Sequence, residues 1–198
     1  MPETERMARM AALVHTALGR ATAGLLEAEA TQAADLTAAD RALHELLDEI
    51  EDSAAAAPTR DPATPADLRR LVADAHLGDD FEGLAVLIRH IAGIAWARHD
   101  SGPLPARLRL PLRTIAGTAL GTVAAAGEAL ATATPTQLTE DLDEIGLRQR
   151  LLHRELLTGD GPPSVADATE STLLACHLRQ CAERAASLAG NAGLLTGA

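Results

Sequence analysis

On an α-helix, residues i, i+4 and i+8 line one face, so carboxylates and imidazoles at that spacing can converge on one cation. Two rows have it: Glu82, Val86 and His90, and Glu183, Ser187 and Asn191. Neither row is a complete ligand set. Asp40 and His44, four residues apart, would add a carboxylate and an imidazole to Glu82 and His90. Two carboxylates with two imidazoles suit a divalent transition metal. A solvated polar face with occasional ion pairs accounts for the same residues, and both readings stay open at this level.

Other chemistries find less support. The seven histidines are dispersed along the chain, and no serine-histidine-acid or cysteine-histidine motif surrounds any of them. The basic residues are all arginine, which excludes a Schiff-base lysine and a phosphate-cradling P-loop lysine. Glycines are spread through the chain rather than gathered before one helix start. The expectation is a protein that is not an enzyme. Cys176 and Cys181 lie five apart in a helical stretch, which points them in different directions, so they should not pair. Cys181 falls on an apolar stripe and reads as a small core residue.

The net charge of −11, with seventeen basic residues scattered rather than clustered, opposes binding to DNA or RNA. The sequence contains no run of eighteen apolar residues, and its first residues lack the basic and apolar parts of a signal peptide. A cytoplasmic protein is expected. Its apolar content is mostly Ala and Leu, with one Phe, one Trp and no Tyr, so the residues that favour a pleated sheet are scarce.

The elements that must position these side chains are therefore helices. Met7, Met10, Val14, Ala17, Leu18, Ala21, Leu25 and Ala28 recur in steps of mostly three and four, and Leu36, Leu43, Leu47 and Ile50 continue after a break near Ala30 to Gln32. The proline-rich stretch 57–66 ends at Thr64-Pro65, a helix-start signal, and a long third helix runs to about Arg98. His99 to Pro103 reads as a turn. Pro105 begins a fourth helix with its stripe at Leu108, Leu112, Ile115, Ala119, Val123, Ala126 and Leu130, which Pro111 could kink. Thr134-Pro135 is expected to open a fifth helix, with Leu138, Leu142, Ile145, Gln149, Leu152 and Leu156 on one face. After the break from Gly159 to Pro163, a sixth carries Leu174, Leu178, Cys181, Ala185, Leu188, Ala192 and Leu195.

The two halves repeat. Thr16-Ala17-Leu18-Gly19 recurs as Thr118-Ala119-Leu120-Gly121, Asp40 corresponds to Asp143, and His76-Leu77 precedes Glu82 as His177-Leu178 precedes Glu183. The shared order argues for duplication. An all-α fold is expected, six antiparallel helices in two tandem three-helix bundles, residues 1–100 and 101–198.

The proline-rich turn before Asp67-Leu68-Arg69, followed by Asp80-Phe81-Glu82 and by Arg89-His90-Ile91-Ala92, resembles the PhoU family of bacterial phosphate-signalling regulators. In the second half, Glu183-Arg184-Ala185-Ala186-Ser187 with Asn191 is similar to that family's Glu-Arg-x-x-Asp-x-x-x-Asn ending. The resemblance spans about Met7 to Gly197. It implies tandem three-helix bundles, commonly homodimeric, that link a phosphate ABC transporter ATPase to a sensor histidine kinase and repress phosphate-starvation genes. A PhoU-like regulator of a transporter other than phosphate is the alternative within the family. The resemblance also implies a divalent metal or iron on acidic helix motifs, which here would be Asp40, His44, Glu82 and His90, then Asp143, Glu183 and Asn191. The motifs are degraded, with Val86 and Ser187 at the central Asp positions, Gly83 in place of Arg, and Leu147 four residues after Asp143. Fewer carboxylates weaken a site for a hard cation, so no cofactor is expected. Partner contact is then expected on ridges around Asp67, Arg69, Arg70, Glu82, Glu183 and Arg184.

Overall fold

A computed structural model describes residues 3–26, 32–55, 64–98, 102–158 and 163–196, without the side chains of residues 32, 33, 53–55, 66, 69 and 70. The order is α1 (Glu3–Leu26), α2 (Gln32–Ala55), α3 (Pro65–Ala97), α4 (Ala106–Thr132), α5 (Thr139–Thr158) and α6 (Val165–Asn191), closed by a 3₁₀ turn at Ala192–Leu195. No strand occurs among the described residues. Ala, Leu, Arg and Glu all have high helix propensity, and burial of the Ala-Leu seams supplies the tertiary drive that propensity lacks.

Within the first half α1 packs on α2 and α3, and within the second α4 packs on α5 and α6. Across the halves α1 lies on α4 and α3 on α6. A single apolar core runs through all six helices. Every stripe residue expected in α4 is buried, as are Leu174, Leu178, Cys181, Ala185, Leu188, Ala192 and Leu195. By length and composition α4 is apolar enough to cross a membrane. Here that character serves its position at the centre, between α1 and α6. The helix continues through Pro111 to Thr132. The repeated Thr-Ala-Leu-Gly tetrapeptides sit on α1 and α4, where a Cβ on Gly19 would lie 3.7 Å from the Leu120 side chain. Small residues on both helices permit that approach.

Helix starts match between the halves. Thr64 Oγ1 accepts from the Asp67 N–H at 3.2 Å, and the Thr64 N–H donates to Asp67 Oδ2 at 2.8 Å, a capping box with Pro65 in the first turn. In α6, Ser164 Oγ accepts from the Asp167 N–H at 3.0 Å. The fifth helix starts later than Pro135. Ala133 adopts the left-handed conformation at the end of α4, and the Thr136 N–H donates to the Ala189 carbonyl at 3.0 Å. That bond ties residues 134–138 to the end of α6 outside any helix, and helical geometry resumes at Thr139.

Arg98 ends α3 with its side chain 6% exposed, donating through Nη2 to Asp167 Oδ1 at 2.8 Å, through Nε to the Gly102 carbonyl at 3.2 Å, and through Nη1 to Glu170. The C-terminal end of α3 is thereby joined to the N-terminal end of α6. Beside it, Trp96 is half exposed. Hydrogen bonding from Ser164, and then from Arg98, holds the Asp167 carboxyl below its ordinary pKa. A carboxylate whose folded pKa is depressed contributes stability that is fully present above its unfolded value, about 3.9, and lost as pH falls through the folded value. Urea unfolding followed by circular dichroism should therefore show a stability loss below about pH 4 that shrinks in Asp167→Asn. At pH 7 Asp167→Ala, which removes the carboxylate that accepts from the Ser164 hydroxyl and from buried Arg98, should cost about 1–3 kcal/mol. An acid limb identical in wild type and Asp167→Asn would contradict this role.

Candidate functional site

Across the halves α3 packs on α6, and the ion pairs fix the direction of that contact. Arg98 of α3 meets Asp167 of α6, while Arg184 of α6 meets Asp79 and Asp80 of α3, so the two helices run antiparallel. Between them opens a groove of about 490 Å³. Glu82, Gly83, Val86 and His90 line one wall, and His177, Gln180 and Arg184 the other.

Arg184 dominates the groove. Its Nη1 donates to the Asp79 carbonyl at 3.0 Å, to Asp79 Oδ2 at 2.8 Å and to Asp80 Oδ1 at 3.2 Å. Its stem lies where a side chain on Gly83 would be, since a Cβ there would stand 2.2 Å from Arg184 Nε and 2.6 Å from its Cδ. Gly83 and Arg184 are counterparts in the repeat, 101 residues apart like Glu82 and Glu183. Where repeated helices cross antiparallel, counterpart residues meet at the crossing. Two arginines there would repel, whereas a glycine gives one arginine room to reach two aspartates. The packing of Arg184 thus calls for a glycine at position 83. Burial holds the Asp80 carboxyl above its ordinary pKa, a shift opposed by hydrogen bonds from Ser187 and Arg184.

His90 and His177 face each other across the same groove, ring centroids 5.2 Å apart and planes tilted by 45°. The Nδ1 of His177 is buried and accepts or donates no hydrogen bond among the described residues. Burial, and then the neighbouring His90, hold the His177 imidazole below its ordinary pKa.

The other residues singled out in the sequence are dispersed. Asp40 and His44 are exposed on α2, where His44 Nδ1 lies 2.8 Å from the Asp40 carbonyl and 3.7 Å from Oδ2. Asp143 is exposed on α5. Glu183 pairs with Arg179 at 2.8 Å, and Asn191 donates to Ser187 Oγ at 3.3 Å. Asp67 is engaged in the α3 cap, and the side chains of Arg69 and Arg70 lie outside the described residues. Among the described residues no three of His, Cys, Asp and Glu form a group that could hold a metal. Asp40 and His44 thus do not gather with Glu82 and His90 into one ligand set. Cys176 and Cys181 are both free, and burial pushes the Cys181 thiol up to about 12, as a core residue requires. Asp79, His177 and Gln180 escaped sequence reasoning; only the antiparallel register of the two repeated helices, read from the His-Leu and Glu pairs, would have brought them to His90.

No family model matches the sequence. Two curated proteins do, each named "Phosphate-specific transport system accessory protein PhoU homolog 2", from Mycobacterium tuberculosis and Mycobacterium bovis. Each is 26% identical over 189 residues, covering 94% of this chain and 89% of the relative. The fold is similar to the crystal structure of PhoU from Pseudomonas aeruginosa, with a TM-score of 0.72, 17% identity, and coverage of 96% of this chain and 93% of that one. The chain is thus similar to PhoU proteins over nearly its whole length, and it shares their fold. Within this PhoU-like fold, the Gly83 and Arg184 pairing has a definite energetic signature. Ala in place of Gly in a helix ordinarily gains about 1 kcal/mol, but Gly83→Ala displaces Arg184 from buried Asp80, a loss of roughly 1.5–3 kcal/mol. Gly83→Ala should therefore destabilise by about 1 kcal/mol in the wild type and stabilise in an Arg184→Ala background. A gain of stability in both backgrounds, by denaturant titration, would show that Arg184 does not depend on the glycine.

Proposed function

We propose that the protein is an accessory regulator of a phosphate transport system, acting by contact with other proteins. The observation that carries this reading is the likeness to the two mycobacterial PhoU homologues over nearly the whole of both chains. An open groove whose described lining residues gather no nucleophile, base and anion cradle also suits docking better than turnover. In this reading the chain is cytoplasmic and homodimeric. It meets the ATPase subunit of a phosphate ABC transporter and a sensor histidine kinase, and it represses the phosphate-starvation response while phosphate is plentiful.

The exposed carboxylate of Glu82, at the edge of the groove, and Glu183 with its Arg179 partner, offer acidic ridges for contact. Such ridges give specificity and on-rate, and the interaction should weaken with salt. Copurification of the purified chain with the ATPase subunit and with the kinase cytoplasmic domain tests the proposal directly. The expected result is a complex with both that weakens as salt rises, together with raised phosphate-starvation reporter output in a deletion strain grown in high phosphate. A deletion strain with an unchanged reporter, and no complex with either protein, would overturn it.

A further inference from the structure

The two outermost helices differ in charge. α2 packs on α1 and α3 while α5 packs on α4 and α6, so the pair flank the four central helices on opposite sides of the molecule. In the register set by Asp40 and Asp143, Glu45, Asp48 and Glu51 of α2 correspond to Arg148, Leu151 and Arg154 of α5. The outer face of α2 is acidic, exposing Asp40, Glu45, Asp48, Glu51 and Asp52, with Arg41 as a countercharge. From Leu147 to Leu157 the outer face of α5 exposes Leu147, Leu151, Leu157, Arg150 and Arg154, with Glu155 as the acid among them. Beside the acidic face, a groove of about 240 Å³ between α2 and α3 is lined by Leu47, Ile50 and half-exposed Val86, together with Glu51, Glu82 and Arg89. We propose that the acidic α2 face and its groove bind the α5 face of a second copy of this chain, a contact between unlike faces that builds head-to-tail assemblies.

The two faces match in kind. Leu147 and Leu151 are four apart, as are Arg150 and Arg154, so an apolar pair and a basic pair lie side by side on α5. The α2 side offers their complement, an apolar groove bordered by carboxylates. Among the described residues neither Arg150 nor Arg154 has an ion pair, and neither do Asp48 and Glu51. Charges held in no internal pair are available across an interface, where complementary potentials select the partner and its orientation. Withdrawal of the exposed leucines from water supplies the attraction. Joining unlike faces leaves one free face of each kind at the two ends of any assembly, so growth continues with concentration. Such an assembly differs from the closed pair of a two-fold homodimer, and it requires no phosphate-transport partner.

Sedimentation velocity of the full chain, over a range of concentrations at low and at high salt, tests this contact. The weight-average mass should rise with concentration at low salt, pass beyond a dimer, and fall as salt screens the charges. Asp48→Arg with Glu51→Arg, and separately Leu147→Ser with Leu151→Ser, should each weaken the association at least about tenfold. All four residues are exposed, so both double variants keep the fold, which circular dichroism and thermal melts check. An equimolar mixture of the two should form a one-to-one pair and grow no further, since one variant keeps an intact α5 face and the other an intact α2 face. A mass that does not change with concentration, growth that persists in either variant, or variants that fail to pair when mixed would each overturn the contact. A closed dimer of fixed mass would do the same while leaving the phosphate-transport reading intact, and failure to bind the transporter ATPase or the kinase would overturn that reading alone.

Discussion

When two helices of related sequence cross antiparallel, each residue near the crossing meets its own counterpart, and a charge at that position meets an identical charge. The α3 and α6 contact resolves this by asymmetry. Gly83 vacates the space and Arg184 fills it, reaching the Asp79 and Asp80 carboxylates on α3. Like-charge repulsion becomes a charge-assisted pairing, and the two halves can share one core.

The polar groups along this contact fall into two clusters. At the far end of α3, Arg98 binds Asp167 and Glu170 at the start of α6, and at the crossing Arg184 binds the aspartates of α3. Both arginines use planar, multiply donating heads, which tolerate burial better than an ammonium would. Between the clusters lie His90 and His177. The apolar seams supply most of the association, and the arginine clusters set its register, since sliding α6 along α3 would leave Asp80 and Arg98 buried without partners.

Much of the fold was legible from short-range signals. The α4 stripe is buried at every expected position, and Thr64-Pro65 opens α3 because a cap and a first-turn proline act over four residues. The start of α5 was misplaced because Thr134-Pro135 carries the same local signature, while the bond from Thr136 to the Ala189 carbonyl comes from a helix more than fifty residues away in sequence. The candidate site was half legible. Glu82, His90, Glu183 and Arg184 stood out through the repeat, but His177 and Asp79 join them only through the antiparallel register, a long-range property that single-helix spacing does not encode. Gly83 read as a missing arginine because its purpose lies in the opposite half.

Trp96, half exposed beside Arg98, has a practical consequence. The sequence contains one Trp and no Tyr, so the intrinsic fluorescence of the whole molecule originates from the indole at the end of α3. Emission wavelength and quenching thus report on a single place, the junction where α3 hands over to α6, without attached dyes. Anything that covers or loosens that junction will change the light from an otherwise optically silent protein.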